Sequence, residues 1–189
     1  MDDNGYIPLE TEATLVRDFT LGYVPGLLQT PDYARALFQA ALIRRTEAVL
    51  ENEIEVRMIR QRRLTADEHP LELLAIVDES VLHRPVGGPE VMRAQLARLV
   101  EAAELDRVTF QVLPIGTGAH PAMSAVFTVL SFGDLGEPDL AYVEHPMGAV
   151  QMAKEADVAR ATLVSDRLWS LALSPADSVA LVCRVAEQM

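Results

Sequence analysis

Between Met92 and Ala103 the apolar residues fall at steps of four, three and four: Met92, Leu96, Leu99, Ala103. Beyond Arg107 the period drops to two, with Val108, Phe110 and Val112 on one side and Thr109, Gln111 and Leu113 on the other. The first spacing turns one side of a helix toward a core, and the second turns one face of a strand there. A chain that carries both periods in separate blocks has to lay helices against a sheet. That feature excludes a pure bundle and a pure sandwich.

Reading outward from this pair, residues 1–8 are polar, contain Gly5 and Pro8, and are expected to fray. Leu9 to Phe19 reads as a helix, broken by Gly22 and Pro25-Gly26. Thr30-Pro31-Asp32 has the form of an N-cap followed by proline in the first turn, and the helix it opens carries Tyr33, Ala34, Leu37, Phe38 and Ala41. A second helix runs from about Thr46 to Leu64 on the stripe Leu50, Ile54, Met58. His69-Pro70 ends this section, and Leu71 to Val81 reads as a mostly buried strand. Val86-Gly87-Gly88-Pro89 is a turn into the Met92 helix, where a phosphate cradle would need a longer glycine run.

After Pro114 a loop spans Gly116 to Ser124, and Val126 to Phe132, apolar on both faces, reads as a central strand. A loop at 133–139 leads to a short strand, Leu140 to Glu144. Connections of this length suit antiparallel neighbours, so 108–145 reads as a meander. A helix from about Ala153 to Leu173 follows, and Ser174-Pro175-Ala176-Asp177 opens the last one as a capping box. The expected product is α+β: a single domain over 9–189, with a helical section at about 9–65 packed on a sheet-containing core at about 70–189. The sheet is expected to be small and mixed or antiparallel, packed against helices.

Composition narrows the function classes. Sixteen basic against 28 acidic residues leave −12 formal charges, which argues against a direct, specific grip on nucleic acid by this chain. The single cysteine, Cys183, excludes an internal disulfide, and its setting among Leu181, Val182 and Val185 reads as a small buried hydrophobe. No apolar run reaches the roughly 20 residues of a spanning helix, and the start is acidic where a signal peptide is basic. A cytoplasmic protein with no membrane partner is expected. No cofactor motif is present, and four histidines without a paired spacing argue against a metal site.

Six arginines crowd 44–63: Arg44, Arg45, Arg57, Arg60, Arg62 and Arg63. They read either as a phosphate contact or, more plainly, as a solvated helix face with ion pairs such as Glu53 with Arg57. Glu144 shares a strand face with Leu140 and Tyr142, while His145 points the other way. A carboxylate at the mouth of a sheet serves as general base or ligand anchor if burial raises its pKa, or as a structural acceptor otherwise. His120, in GTGAHPAM, is the histidine best placed on a loop between strands, and Glu79 lies four residues before His83. Trp169 reads as a core or interface aromatic.

The segments PGLLQTPDYARAL, VRMIRQRRL, DESVLHRPVGGPEVMRAQLARLVE, VTFQVLPIGTGAHP and YVEHPMG together resemble the DUF5753 domain, the Scr1-family antitoxin-like region of actinobacterial Xre-type regulators. The resemblance runs from about Leu9 to Val185. It implies a domain that senses a small-molecule ligand or associates with a protein partner, a homodimer included, while a separate helix-turn-helix domain binds DNA. No helix-turn-helix precedes residue 9, and Met1 with the −12 balance suits a stand-alone member better than a fragment. Matching positions nominate Glu79, Arg93, His120 and Glu144, with Tyr142 beside Glu144, for a shared ligand pocket. The alternative is a cofactor-independent enzyme of specialised metabolism, an isomerase or cyclase, with Glu144 moving the proton and His120 or Glu79 orienting the substrate.

Overall fold

A computed structural model describes residues 5–133, 137–145 and 148–189. The expectations for residues 1–4 and for 134–136 of the 133–139 loop lie outside the described residues. In chain order the elements are α1 (Tyr6–Glu12), β1 (Leu15–Thr20), α2 (Pro31–Ala40), α3 (Glu47–Gln61), β2 (Glu72–Asp78), α4 (Ser80–His83), α5 (Pro89–Ala102) and β3 (Val108–Leu113). Then come β4 (Phe127–Ser131), β5 (Leu140–His145), β6 (Gly148–Met152), α6 (Glu155–Leu171) and α7 (Pro175–Glu187). The fold is α+β with a mixed sheet of order β3-β2-β1-β4-β5-β6. β1, β2 and β3 run parallel because helices fill both crossovers, whereas β4, β5 and β6 are antiparallel.

Three expectations are corrected here. Leu9 to Phe19 is not one helix: α1 stops at Glu12, Ala13 turns extended at ψ 145°, and β1 follows. No glycine or proline marks that stop. β1 exists because β2 and β4 pair with it on both sides, and Val16, Phe19 and Thr20 suit a pleated surface. Tyr6, Ile7 and Pro8, expected to fray, form the start of α1. The meander is also misplaced. β3 lies at the sheet edge beside β2, β4 pairs with β1 instead, and the hairpin partners run on into β6, a strand of mostly exposed residues that carries little periodic signal. The residues before 65 therefore supply the centre of the sheet.

Side chains alternating along β1 to β5 build two cores. Val16, Leu73, Ala75, Val77, Phe110, Val112, Leu130 and Leu140 face α5 and α7, where Met92, Leu96, Leu99, Ala102, Val182 and Val185 are buried. On the opposite face Phe19, Ile76, Leu113, Phe127 and Val129 pack against Val158 and Leu168 of α6, with half-buried Trp169 beside them. Gln95, fully buried on α5, donates to the Leu28 carbonyl (2.8 Å) and accepts from the Thr30 amide (2.8 Å), so it ties PGLLQT to the core. Ser174 Oγ accepts from the Asp177 amide (3.1 Å), closing the first turn of α7. The exposed edge of β3 is blunted as well: Val112 donates to Ser178 Oγ (2.9 Å) and accepts from the Leu173 amide (2.9 Å). Cys183 is exposed, contrary to its apolar neighbourhood, because α7 turns Val182 and Val185 inward and leaves position 183 outside. Among the described residues no single helix is long and apolar enough to cross a membrane.

Candidate functional site

Along β1 the alternation that buries Val16 brings Asp18 and Thr20 onto the same face of the sheet. Sheet register then sets Thr128 of β4 opposite Asp18, and Tyr142 of β5 opposite Thr128. Two residues on, Glu144 shares that face. Polar side chains thus replace apolar ones over one patch of β1, β4 and β5, where β2 continues with alanine and valine. Tyr6 and Glu10 of α1, Tyr23 from the segment after β1, and Arg57 and Arg60 of α3 lie over it.

The contacts are specific. Thr128 Oγ1 donates to Asp18 Oδ1 (3.0 Å), and the Tyr23 hydroxyl reaches Glu144 Oε2 at 3.5 Å. The Tyr6 and Tyr142 rings meet with centroids 5.0 Å apart, and the Arg60 guanidinium stands 5.5 Å from the Tyr6 centroid. Arg60 holds Glu10 through two parallel bonds, the Nε bond at 2.7 Å, with Glu10 only 1% exposed. Arg57 donates to Gln29 Oε1 (2.7 Å) and lies over the Phe38 ring at 4.5 Å. Arg63 donates to the carbonyls of Glu10 and Ala13. The plainer reading of the arginine-rich helix, a solvated face, is therefore corrected for these three positions. Arg57, Arg60 and Arg63 turn inward as planar forks that bridge α3 to α1 and to PGLLQT, while Arg44 and Arg62 stay exposed.

The patch is electrostatically tense. Burial pushes the Asp18 carboxyl up to about 7, Glu10 and Glu144 push the same way, and the Thr128 hydrogen bond and Arg60 offset only part of it. Burial and then the Glu144 and Asp18 charges raise the Tyr23 hydroxyl, and burial with Glu10 raises Tyr6. Asp18 nevertheless keeps partial exposure, although neighbouring strands flank β1 on both sides. The elements over this face, α1, the segment after β1 and α3, cover most of it. Thr20, 3% exposed on that face, has a hydroxyl without a partner among the described residues.

An acid whose folded pKa is raised is preferentially protonated in the folded state, so its stabilising share is complete below the unfolded value near 4 and is lost as pH climbs through about 7. Asp18→Asn keeps the acceptor for Thr128 and removes the titration. The variant should gain about 1 kcal/mol on the parent between pH 6 and pH 7, read as the difference in urea unfolding free energy. A difference that stays flat over this interval would mean that Asp18 titrates as an ordinary surface acid.

Of the five residues nominated from sequence, Tyr142 and Glu144 come together here. His120 lies on the opposite face of the sheet, edge-on to Phe19 with centroids 5.8 Å apart. Its Nδ1 is buried without a partner among the described residues. Glu79 sits at the start of α4 in the other half of the sheet, where Oε2 accepts from the Ile115 amide (2.8 Å) and Oε1 lies 3.6 Å from His83. Arg93 is exposed on α5 and donates to the Met189 carbonyl (2.8 Å). A five-residue pocket is thus not assembled: alternation and topology send these side chains to separate places. A surface groove of about 650 Å³ lined by Glu12, Arg63, His69, Glu72 and Arg107 is built from groups already committed, since Arg63 and Arg107 both serve backbone carbonyls.

A family match spans residues 4–184, nearly the whole chain. The chain belongs to DUF5753, a domain of unknown function. No curated protein and no solved structure matches it. Within this DUF5753 chain, the Gln29, Arg60, Gln61 and Gln95 positions that carried the resemblance are buried or half-buried polar ties. Gln61, for example, donates to the carbonyls of Gly26 (3.0 Å) and Gln29 (2.8 Å). Asp18, Thr20, Tyr6, Glu10 and Thr128, which complete the patch, went unread because Asp18 was assigned to a helix over Leu9 to Phe19 and β1 was not expected. The available signal was Val16-Arg17-Asp18-Phe19-Thr20, where a carboxylate stands at a core-facing position of an alternating run.

Proposed function

We propose that this domain is a regulatory binding module that takes a small molecule at the polar patch over β1, β4 and β5. The observation that supports it is Asp18: a carboxylate at the centre of the sheet, raised toward neutrality, still within reach of solvent, and ringed by Tyr6, Tyr23, Tyr142 and Glu144. In this reading the chain makes no specific contact with nucleic acid, since Arg57, Arg60 and Arg63 are spent on internal ties. DNA contact would belong to a separate Xre-type domain, and the module would act in the cytoplasm. A second reading, cofactor-independent proton-transfer catalysis, is favoured by the same raised Asp18, whose pKa near neutrality suits an acid or base.

Glu144→Gln discriminates. It preserves size and removes the anionic acceptor that Tyr23 faces. Ligand retention, or turnover under the second reading, should fall at least about tenfold, about 1.4 kcal/mol, while the melting temperature moves by only a few degrees. Both are measured on the same samples with a co-purified or screened small molecule. Unchanged binding and turnover beside a large loss of stability would assign Glu144 to structure alone.

A further inference from the structure

We propose that two copies of this chain join edge to edge through β6, in an antiparallel pairing centred on Val150 that makes the two sheets one. The inference is independent of the binding reading above and starts from the two edges of the sheet. At one edge β3 is closed by its own chain: the Val112 amide donates to Ser178 Oγ and the Val112 carbonyl accepts from the Leu173 amide. At the other edge β6 pairs with β5 on its inner side, and its outer side takes no backbone hydrogen bond from the described residues. Gly148-Ala149-Val150-Gln151-Met152 contains none of the charges or prolines that keep an open strand from pairing with another chain. Its register with β5 runs unbroken, so no bulge turns the edge away.

The strand is complementary to itself, which selects a second copy as its occupant. A two-fold axis through Val150 sets Gly148 against Met152 of the second copy, Ala149 against Gln151, and Val150 against its own counterpart, so no charge faces a charge. In a chain of −12, where two copies repel at most of their surface, a neutral strand is where they meet at least electrostatic cost. The side chains agree. Val143 stands opposite Val150 on the face of the sheet that carries α6, and Val150 is 47% exposed there because α6 packs over β3, β4 and β5. Pairing aligns Val143 and Val150 with Val150 and Val143 of the second copy in one apolar row across four strands, the arrangement that stabilises neighbouring strands. Association stops at two chains, since the symmetric contact occupies both β6 edges and β3 offers no further edge for a filament.

Sedimentation equilibrium of the full chain reads the assembly directly, at about 0.15 M salt, where repulsion between two acidic chains is screened beyond about 8 Å. Twice the chain mass is expected, with no larger species. Val150→Lys sets like charges against each other across the axis and should raise the dimer Kd at least tenfold, about 1.4 kcal/mol. Val150→Glu should do the same. An equimolar mixture of these two variants should restore the dimer, because opposite charges then face each other, and a fold damaged by either substitution would not show this rescue. Leu163→Lys, at an exposed apolar position on α6, should leave the dimer unchanged. A parent chain that stays monomeric up to millimolar concentration, growth beyond two chains, a dimer indifferent to Val150→Lys, or a mixture without rescue overturns the proposal.

Discussion

Arg60→Ala is expected to cost about 3 to 5 kcal/mol of folding free energy. Glu10 is 1% exposed on α1 and receives two charge-assisted hydrogen bonds from this one guanidinium. Truncation strands a carboxylate where water cannot solvate it, and its escape is to take up a proton. The loss should therefore be larger at pH 8 than at pH 5. Urea denaturation at both values measures it, and a change below about 1 kcal/mol at pH 8 would mean that α1 simply detaches at little cost. The double variant Glu10→Leu with Arg60→Met keeps the volume without the charges and should recover much of the loss, because removing one partner of a buried pair costs more than replacing both. The pair is thus expected to fix how α1 docks onto α3 more than to add net stability.

Leu96→Ala follows closely, at about 2 to 5 kcal/mol. Leu96 is fully buried on α5, in the cluster shared with α7 and the α5-facing side of the sheet, and Met92 and Leu99 flank it along the same stripe. Backbone elements hemmed in by both α7 and β3 have little room to collapse into the space left by the missing methyl groups. Chemical denaturation should show a lowered midpoint with an unchanged slope, since the exposed area of the unfolded chain hardly changes. A change under about 0.5 kcal/mol would contradict the packing of this helix.

The elements that were legible in the sequence are those whose own residues carry the signal. α5 announces itself by its stripe, α3 by Leu50, Ile54 and Met58, α2 by the Thr30 cap that accepts from the Tyr33 amide, and α7 by Ser174. β4 was legible as central because both of its faces are apolar, and Glu144 and Tyr142 were legible as neighbours because alternation along one strand is a local property. Asp18 was not. The six residues of β1 have no turn signal before them and follow directly on a helix, so a local reading extends the helix through them.

The sequence by itself thus determined that helices pack on a sheet, which stripes are buried, and which of its side chains share a strand face, because these follow from periods of 3.6 and 2 within single elements. Tertiary structure alone decided the rest. It chose β1 as the strand joining a parallel half to an antiparallel half, sent His120 to the opposite side of the sheet from Glu144, and turned Arg57, Arg60 and Arg63 inward. Each of these depends on which distant segment supplies the missing hydrogen bonds or the opposite charge: Leu73 and Leu130 beside Val16, Thr128 beside Asp18, Glu10 beside Arg60. A strand edge or a guanidinium in isolation is equally satisfied by water, and only the pairing that excludes water makes one arrangement the lowest in free energy.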